Sequence, residues 1–441
     1  MKVKRLEMHS FRGIGNLTLE FQTDEPNVFI GINGVGKSSI LDCLAILISW
    51  FIARIQFDPD AVGSFMKSQE GSGQLISGQL RDLAKGSSFS EQDIKNGENK
   101  IHNEITILLD SQQLKWSLST IQKGYSTELS SNIAELKSVT SEKRRQWQES
   151  SKANMPLAIY YPVNRAVLDI PLKIPSELVF RQIDAYEKIL DGVRIGFDSF
   201  FQWFRAVEDL ENEERRDNSY YRNRQLEAVR QAIYSLLDGF SNLRVRRSPL
   251  RMTINKQDQE LIVNQLSDGE KCLLAMVGDL ARRLAIANPG LPDPLQGSGV
   301  VLIDEIELHL HPKWQREIIP ALTRTFPNCQ FIVTTHSPQV ISEVKPESIY
   351  ILEKTDDGII ARRPESSFGR DSNRILEDLM DTPARPQEIK ESLLDLFRLI
   401  DQGNLDGARQ LRQHLADQIG ADEPEFVKAD VLIRRKEILN R

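Results

Sequence analysis

The stretch GINGVGKSS at residues 31–39 has the composition and spacing of a phosphate-binding loop. It lies between the apolar run NVFI and the apolar run ILDCLAILISWFIA, which read as a strand and a helix. Glycines let the backbone curl so that its N–H groups face a β-phosphate, and the helix dipole adds to that attraction. In this pattern Lys37 would pair with the β- and γ-phosphates, and the Ser38 hydroxyl would hold Mg²⁺. The sequence therefore predicts a nucleoside triphosphate site that includes Gly34, Gly36 and Ser39.

Two later segments end in polar residues that suit the same site. GVVLIDE (299–305) would carry Asp304 to the C-terminal edge of a sheet, where open α/β folds bind ligands. Asp304 would support Mg²⁺ through water, and Glu305 would orient or deprotonate the attacking water. FIVTTHSP (331–338) is a second buried strand, after which His336 would lie within reach of a γ-phosphate. The alternatives are structural: the two carboxylates could cap a strand, and the histidine could serve packing.

The segment LSDGE (266–270) precedes KCLLAMVGDLARRLAIA, which has helical spacing. This pattern predicts a helix N-terminus with Ser267 and Gly269 at its cap, although a Ser-Asp-Gly run is most often a surface turn. Exposed N–H groups there would be good donors to a γ-phosphate. The phosphate-binding loop lies far earlier in the chain, so we expect that the loop and the LSDGE segment of one chain do not meet. Two subunits packed head to tail about a two-fold axis would let each LSDGE close the partner's loop.

The elements that must position these residues follow an α/β pattern. Alternating residues before the loop predict two antiparallel strands and a third strand, and residues 103–120 predict a hairpin. Apolar β-branched runs after residue 296 suit central strands of a parallel sheet covered on both faces. The predicted regions are an N-terminal nucleotide-binding lobe at 1–175, a helical insertion at 176–240, a C-terminal lobe at 241–365 and a helical appendage at 366–441.

Composition excludes several classes of protein. The 441 residues are 40% hydrophobic and 27% charged, with a net charge of −7, which is ordinary for a soluble globular chain. The longest apolar run, at 43–53, is about half of what spans a bilayer, so it predicts a buried helix. We also expect no membrane partner. The cysteines lie far apart in apolar runs, which is typical of free thiols in the cytoplasm. Basic runs at 142–146 and 244–251 could contact nucleic acid, but a solvated face is the favoured interpretation.

Together these motifs resemble the ABC-type ATPase heads of the SMC, RecF and OLD proteins. The resemblance rests on SFRGIGNLTLEF before the loop and on LSDGEK, LIDEIELHLHP and TTHSP, and it covers about residues 1–57, 155–170 and 260–355. It implies a P-loop ATPase fold with a mixed sheet and an antiparallel β-lobe, in which ATP holds two heads together. It also implies that the signature helix acts in trans on the partner's γ-phosphate, and it assigns site roles to Ser267, Gly269, Glu270, Asn33 and Arg12.

Three segments depart from the general pattern of these heads. The family normally offers a Gln after a strand, and YYPVNRA (160–166) occupies that place, which makes Asn164 the candidate. Asp268 stands where transporter ATPases usually carry Gly. His309 and His311 have an H-x-H spacing that could bind a metal, although packing or contact between subunits is the favoured role.

Longer segments look like the ATPase family of the Septu antiphage system, PtuA, in which an HNH nuclease, PtuB, is a separate partner. The matching segments are LSDGEK, GDLARRLAIANP, LIDEIELHLHPKWQ, FPNCQFIVTTHSPQV and SFGRDSNRILEDLM. The resemblance implies a slow ATPase that regulates a nuclease complex. ILEKTDDG lacks the Glu-Gly…Asp opening of the Toprim domain of OLD nucleases, so we expect no nuclease site in this chain. The alternatives are a RecF-like DNA clamp, whose helical arm would reach duplex DNA, and a transporter ATPase subunit, which the helical insertion disfavours.

Overall fold

The computed structural model describes residues 1–57, 85–125, 130–150, 152–163, 180–187, 189–190, 197–356 and 358–439. Contacts divide the chain into two compact units, Met1–Arg370 and Asp371–Arg441.

The elements are numbered here in chain order. The strands are β1 (Lys2–Phe11), β2 (Ile14–Glu20), β3 (Asn27–Ile30), β4 (Lys100–Leu109), β5 (Gln112–Ile121), β6 (Leu157–Tyr161), β7 (Phe240–Arg247), β8 (Leu250–Lys256), β9 (Gln259–Ile262), β10 (Gly299–Ile303), β11 (Cys329–Thr334), β12 (Ile349–Thr355) and β13 (Gly358–Arg362). The helices are α1 (Lys37–Gln56), α2 (Ala134–Glu149), α3 (Phe197–Asp217), α4 (Arg224–Leu236), α5 (Asp268–Ala287), α6 (Pro312–Thr325), α7 (Pro338–Ile341), α8 (Ser372–Leu379), α9 (Gln387–Asp401), α10 (Leu405–Ile419) and α11 (Pro424–Leu439).

A six-stranded sheet in the order β13-β12-β3-β11-β10-β6 forms the centre of the first unit. Its strands are parallel except for β13, which pairs with β12 antiparallel at the edge. Every residue of β3, β6, β10 and β11 is buried, as expected for parallel strands covered on both faces. The prediction of central parallel strands is therefore confirmed, and their carboxyl ends all lie at one edge.

An antiparallel sheet in the order β2-β1-β4-β5 forms a second layer. Burial alternates along β4, so one face of this sheet is packed and the other is solvated. The predicted N-terminal hairpin is β1–β2, and the hairpin predicted at 103–120 is β4–β5. These strands are the antiparallel part of the mixed α/β fold.

Helix α1 packs between these two sheets. It contacts β4 on one side and β6, β10 and β11 on the other, and the indole of Trp116 on β5 donates a hydrogen bond of 3.0 Å to the Leu47 carbonyl. By length and composition α1 is apolar enough to cross a membrane, but most of its side chains are buried inside the protein. The prediction of a buried core helix is confirmed.

Two helices of the first unit pack against α5, and a small sheet precedes it. Strands β7, β8 and β9 form a small antiparallel sheet that leads into this helix, and α3 and α4 pack against the helix from the region predicted as a helical insertion. The second unit contains α8 to α11, with a core that includes Leu396, Ile400, Phe426 and Ala429.

A buried ionic cluster joins α5 to β6. The Asp279 carboxylate accepts hydrogen bonds from Arg282 at 2.7 Å, from Arg283 at 2.8 Å and from the Tyr161 hydroxyl at 3.1 Å. Burial opposes ionisation of Asp279, but Arg283 and Arg282 outweigh that effect and lower its pKa below the usual range. Helix α5 is thereby tied to the strand that ends beside the acidic end of β10.

We predict that Asp279→Asn lowers the free energy of unfolding of the first unit by about 3 kcal/mol, because two buried arginines lose their counter-charge. Urea denaturation followed by circular dichroism measures this. A lowered native pKa stabilises the fold above the unfolded carboxyl pKa of about 4, and this contribution disappears as the pH falls through the native value. The wild type should therefore lose more stability on acidification than the variant does.

The matched control is Asp268→Asn on the same helix. The Asp268 side chain is 86% exposed and pairs with Lys271 at 3.1 Å, so its loss should cost less than about 1 kcal/mol. Equal losses in the two variants would show that the buried cluster is not a major stabilising interaction.

Candidate active site

The predicted phosphate-binding loop connects β3 to α1. Gly31, Gly34 and Gly36 have φ angles of 144°, 78° and 106°, a region that side chains other than glycine rarely adopt. A Cβ atom on Gly31 would come within 2.6 Å of the Leu352 carbonyl oxygen, so this position also requires close approach of two backbones. The tip of the loop at 32–34 is exposed, which leaves it open to a ligand.

The Lys37 side chain folds back over this loop. Its ammonium group donates hydrogen bonds to the carbonyls of Gly31 at 2.8 Å and Ile32 at 3.0 Å. Burial lowers the Lys37 pKa below its ordinary value, against the opposing effect of Asp304, Glu305 and Glu307. The structure thus brings one cation and three carboxylates to the same edge of the sheet.

Thr334, whose role the sequence does not predict, organises the acidic end of β10. The Thr334 hydroxyl donates to the Asp304 carboxylate at 2.5 Å and accepts from the Glu305 backbone N–H at 2.7 Å. Asp304 is buried, and Glu305 has a φ angle of 47°. Strained backbone of this kind persists only where its surroundings hold it, and it occurs often at functional sites. The hydroxyl of Thr334 therefore holds both the carboxylate of Asp304 and the backbone of Glu305 in place.

A second unpredicted residue, Glu307, connects the loop after β10 to the loop after β11. Its carboxylate accepts from the His336 backbone N–H at 2.6 Å and from the Thr335 hydroxyl at 2.7 Å. His336 itself is half-buried at the end of β11, beside the acidic loop. The only sequence signal for these roles was the pair of threonines in TTHSP and the second glutamate of DEIE.

Arg12 lies at the turn between β1 and β2 with a φ angle of 53°. Its guanidinium forms ion pairs with Asp42 on α1 and, at 3.0 Å, with Asp93. The Tyr160 hydroxyl also donates to Asp42, at 2.9 Å. Arg12 thus lies against the helix that follows the phosphate-binding loop, with its charge shared between two carboxylates of its own chain. The other candidate beside this region, Asn164, is outside the described residues.

The segment LSDGE begins α5, and the predicted helix N-terminus is confirmed. Ser267 is the N-cap: its hydroxyl accepts from the Glu270 N–H at 3.4 Å, and its backbone N–H donates to the Glu270 carboxylate at 2.9 Å. This reciprocal pair is a capping box. Glu270 is buried and also binds Lys256 of β8 at 2.6 Å. These contacts give Glu270 a structural role within its own chain.

Gly269 lies inside the first turn of α5 rather than at the cap. It is buried, and a Cβ atom there would come within 2.4 Å of the His309 carbonyl oxygen. The positions of this segment that face solvent are Ser267 and Asp268. His311 caps α6 by accepting from the Lys313 N–H at 3.3 Å. Among the described residues, no group of three or more His, Cys, Asp or Glu side chains could hold a metal ion.

The loop between β3 and α1, the acidic end of β10 and the polar end of β11 lie along one edge of a parallel sheet. Together with the antiparallel lobe and the LSDGE helix, they define a P-loop ATPase head of the ABC type. The chain belongs to the family described as "AAA domain, putative AbiEii toxin, Type IV TA system", whose profile matches residues 27–342.

The chain is also similar to several named proteins. The Retron Ec83 probable ATPase of Escherichia coli is 28% identical over 99% of this chain and 87% of its own length. The Retron Vc95 probable ATPase of Vibrio cholerae is 29% identical over 90% of this chain and 82% of its own length. The Septu protein PtuA of Bacillus thuringiensis is 27% identical over 36% of this chain and 42% of its own length. Among solved structures, the SMC head domain from Thermotoga maritima aligns with 83% of this chain and 100% of its own, at 16% identity and a TM-score of 0.42.

We predict that Thr334→Val lowers kcat for ATP hydrolysis by roughly 10- to 100-fold, the range found when a group that orients a metal ligand is removed. Valine keeps the shape but removes the donor to Asp304 and the acceptor for the Glu305 N–H. Thr334→Ser retains the hydroxyl and should hydrolyse ATP nearly as fast as the wild type. A steady-state phosphate-release assay measures both, and full activity in the valine variant would contradict the positioning role.

Proposed function

We propose that this protein is the ATP-binding and ATP-hydrolysing regulatory subunit of an antiphage defence complex. It controls a separate HNH nuclease through ATP-dependent association of its heads. The support for defence is the similarity to ATPases of retrons and to the Septu protein PtuA. The observation that carries the ATPase assignment is the parallel pairing of β3, β11 and β10, after which Lys37, Asp304 and Glu305 follow at one edge of the sheet.

The residues of this edge suit a nucleoside triphosphate. The loop presents backbone N–H groups at its exposed tip, and the N-terminus of α1 points at the same place. Lys37 exchanges its two carbonyl contacts for the β- and γ-phosphates, and Asn33 at the exposed tip contacts the γ-phosphate. Arg12, paired with Asp42 of α1 and with Asp93, lies beside this helix, and Ser39 lies in the first helical turn with Ser38.

Magnesium fits the oxygen atoms that this edge offers. The Ser38 hydroxyl is exposed in the first turn of α1, and the Asp304 carboxylate is held by Thr334. Hydroxyl, carboxylate and water oxygens are the ligands that Mg²⁺ prefers. Bound there, Mg²⁺ would neutralise the charge on the β- and γ-phosphates during hydrolysis.

Glu305 and His336 are the proposed catalytic residues. Glu305 follows the buried Asp304 and is half-buried at the sheet edge, where it orients the attacking water and accepts its proton. His336 contacts the γ-phosphate from the end of β11, with its backbone held by Glu307. Slow turnover suits a regulatory role, because the ATP-bound state must persist long enough to set the state of the partner.

The LSDGE segment completes the site of a second copy of the chain. Ser267 and Asp268 are its solvent-facing positions, and Ser267 begins a helix whose first N–H groups can donate to a phosphate. ATP can shift the association of heads only if it binds the closed pair more tightly than the open one. A γ-phosphate held between the loop of one subunit and Ser267 of another supplies this difference, and hydrolysis removes it.

We predict that ATPase activity is restored when two inactive variants are mixed. Lys37→Ala disables the loop and Ser267→Arg blocks the signature, so each is inactive alone. In a mixed dimer, the intact loop of the Ser267→Arg chain faces the intact LSDGE segment of the Lys37→Ala chain. One of the two composite sites is therefore complete. With random pairing, about a quarter of wild-type activity should return, since half of the dimers are mixed and each has one good site.

The control for this test is the doubly substituted chain, Lys37→Ala with Ser267→Arg, mixed with Lys37→Ala. Such mixed dimers have no intact loop and should stay inactive. Differently tagged copies show whether mixed dimers form. If they form and activity does not return, the site is not shared between subunits.

A tagged Glu305→Gln chain, produced from its native genetic locus, tests the nuclease partnership. It should bind ATP without hydrolysing it, elute as a larger oligomer on size exclusion, and co-purify with an HNH nuclease. Lys37→Ala is the matched variant that cannot hold ATP, and its elution should not change when ATP is added. Purification of both variants without any nuclease would contradict the proposed partnership while leaving the ATPase assignment intact.

A further inference from the structure

A polar cavity of about 530 Å³ lies in the first unit, away from the ATPase edge. It is open to solvent and is lined by the second half of α3, by α4 and by the edge strand β7. The arginines that line it are Arg215, Arg222, Arg230, Arg244, Arg246 and Arg247. The last three belong to the basic run at 244–251, for which the ATPase mechanism has no use.

Two of these arginines are neutralised within the protein. Arg230 binds the buried Glu211 at 2.8 Å and Glu208 at 3.3 Å. Arg247 binds Glu208 at 2.9 Å and also pairs with Asp209. Glu208 also accepts from the Val245 backbone N–H at 3.0 Å, which closes the open edge of β7. These ion pairs hold the wall of the cavity together.

The next two arginines are only partly neutralised. Arg244 and Arg246 share one carboxylate, that of Glu260, at 3.2 Å and 2.7 Å. Arg246 also stands directly opposite Arg251 in the β7–β8 register, a like-charge pair that is unfavourable across two strands. The Nε–H group of Arg244, which lines the cavity, is buried and has no hydrogen-bond acceptor among the described residues. An anion in the cavity would accept from this donor.

The last two arginines carry the excess charge. Arg222 donates to the Tyr221 carbonyl at 2.8 Å, and neither Arg215 nor Arg222 has an ion pair with a carboxylate within the part of the chain that the structure describes. Six guanidinium groups therefore face five carboxylates, the four already named and Glu227, which pairs with Arg230 at 3.9 Å. A local surplus of positive charge in a chain of net charge −7 indicates that anions bind at this cavity rather than over the whole surface.

We propose that this cavity is a phosphate-binding site, distinct from the ATP site, which takes phosphate groups of a nucleic-acid backbone or of a free nucleotide. Planar guanidinium groups match phosphate oxygens through two parallel hydrogen bonds, which makes arginine well suited to this recognition. Strand β7 pairs with β8, whose Lys256 binds Glu270 of α5. A ligand in the cavity therefore contacts the same small sheet that supports the LSDGE segment.

The test uses the full-length Lys37→Ala chain, so that the loop of the ATP site does not contribute. Fluorescence anisotropy measures binding of a short labelled single-stranded DNA, the corresponding duplex, and a labelled free nucleotide. Arg215→Gln with Arg222→Gln should weaken binding of the true ligand class by about tenfold or more. For DNA, the slope of log K against log salt should fall by about 2, because two phosphate contacts are lost.

The matched control is Arg434→Gln with Arg435→Gln on α11, which removes the same charge from two exposed positions. It should leave affinity and salt slope unchanged. Because Arg215 and Arg222 have no carboxylate partner, their replacement should leave the melting temperature unchanged, which shows that the variant is folded.

The outcomes separate the two sources of phosphate. Selective loss of DNA binding identifies a nucleic-acid backbone, and selective loss of nucleotide binding identifies a free nucleotide. Three results would overturn the proposal: no binding of either probe by the Lys37→Ala parent, affinity that the cavity substitutions do not change, or an equal loss in the α11 control.

Discussion

Strand β11 pairs in parallel with β3 on one side and with β10 on the other. Because all three strands run in the same direction and are fully buried, their carboxyl ends must appear together at one edge of the sheet. The loop after β3 carries Lys37, the turn after β10 carries Asp304 and Glu305, and β11 ends with Thr334. Every contact of the proposed ATP site depends on this pairing, although these segments are far apart in the chain.

Hydrogen bonds from Thr334 and Glu307 hold the ends of β10 and β11 in place once the strands have paired. The Thr334 hydroxyl joins the ends of β10 and β11 by binding both Asp304 and the backbone of Glu305. Glu307 makes the reciprocal connection by binding the backbone of His336. The two loops are thus held by each other, which explains how Glu305 keeps a left-handed backbone conformation. A group placed in this way needs little rearrangement when a phosphate arrives.

The LSDGE segment depends on different contacts. Its helix is tied to β6 through the buried Asp279 cluster and to β8 through Glu270 and Lys256. Gly269 and Glu270 are used inside their own chain, which leaves Ser267 and Asp268 to face outward. The small sheet of β7, β8 and β9 supports this helix and also forms one wall of the arginine-lined cavity. A ligand in that cavity and a second head would therefore act on one connected part of the protein.

Local sequence was enough to predict the phosphate-binding loop, the buried parallel strands and the capped start of α5. Each of these depends on neighbouring residues: glycine spacing, runs of β-branched side chains, and a serine three residues before a glutamate. The sequence did not show that Thr334 and Glu307 position the acidic loop and His336, because a hydroxyl and a carboxylate acquire such roles only from partners on other strands. It also did not distinguish a solvated basic run from the wall of a cavity. Arg244, Arg246 and Arg247 line a cavity because α3 and α4 pack against β7, and only the tertiary structure decides that packing.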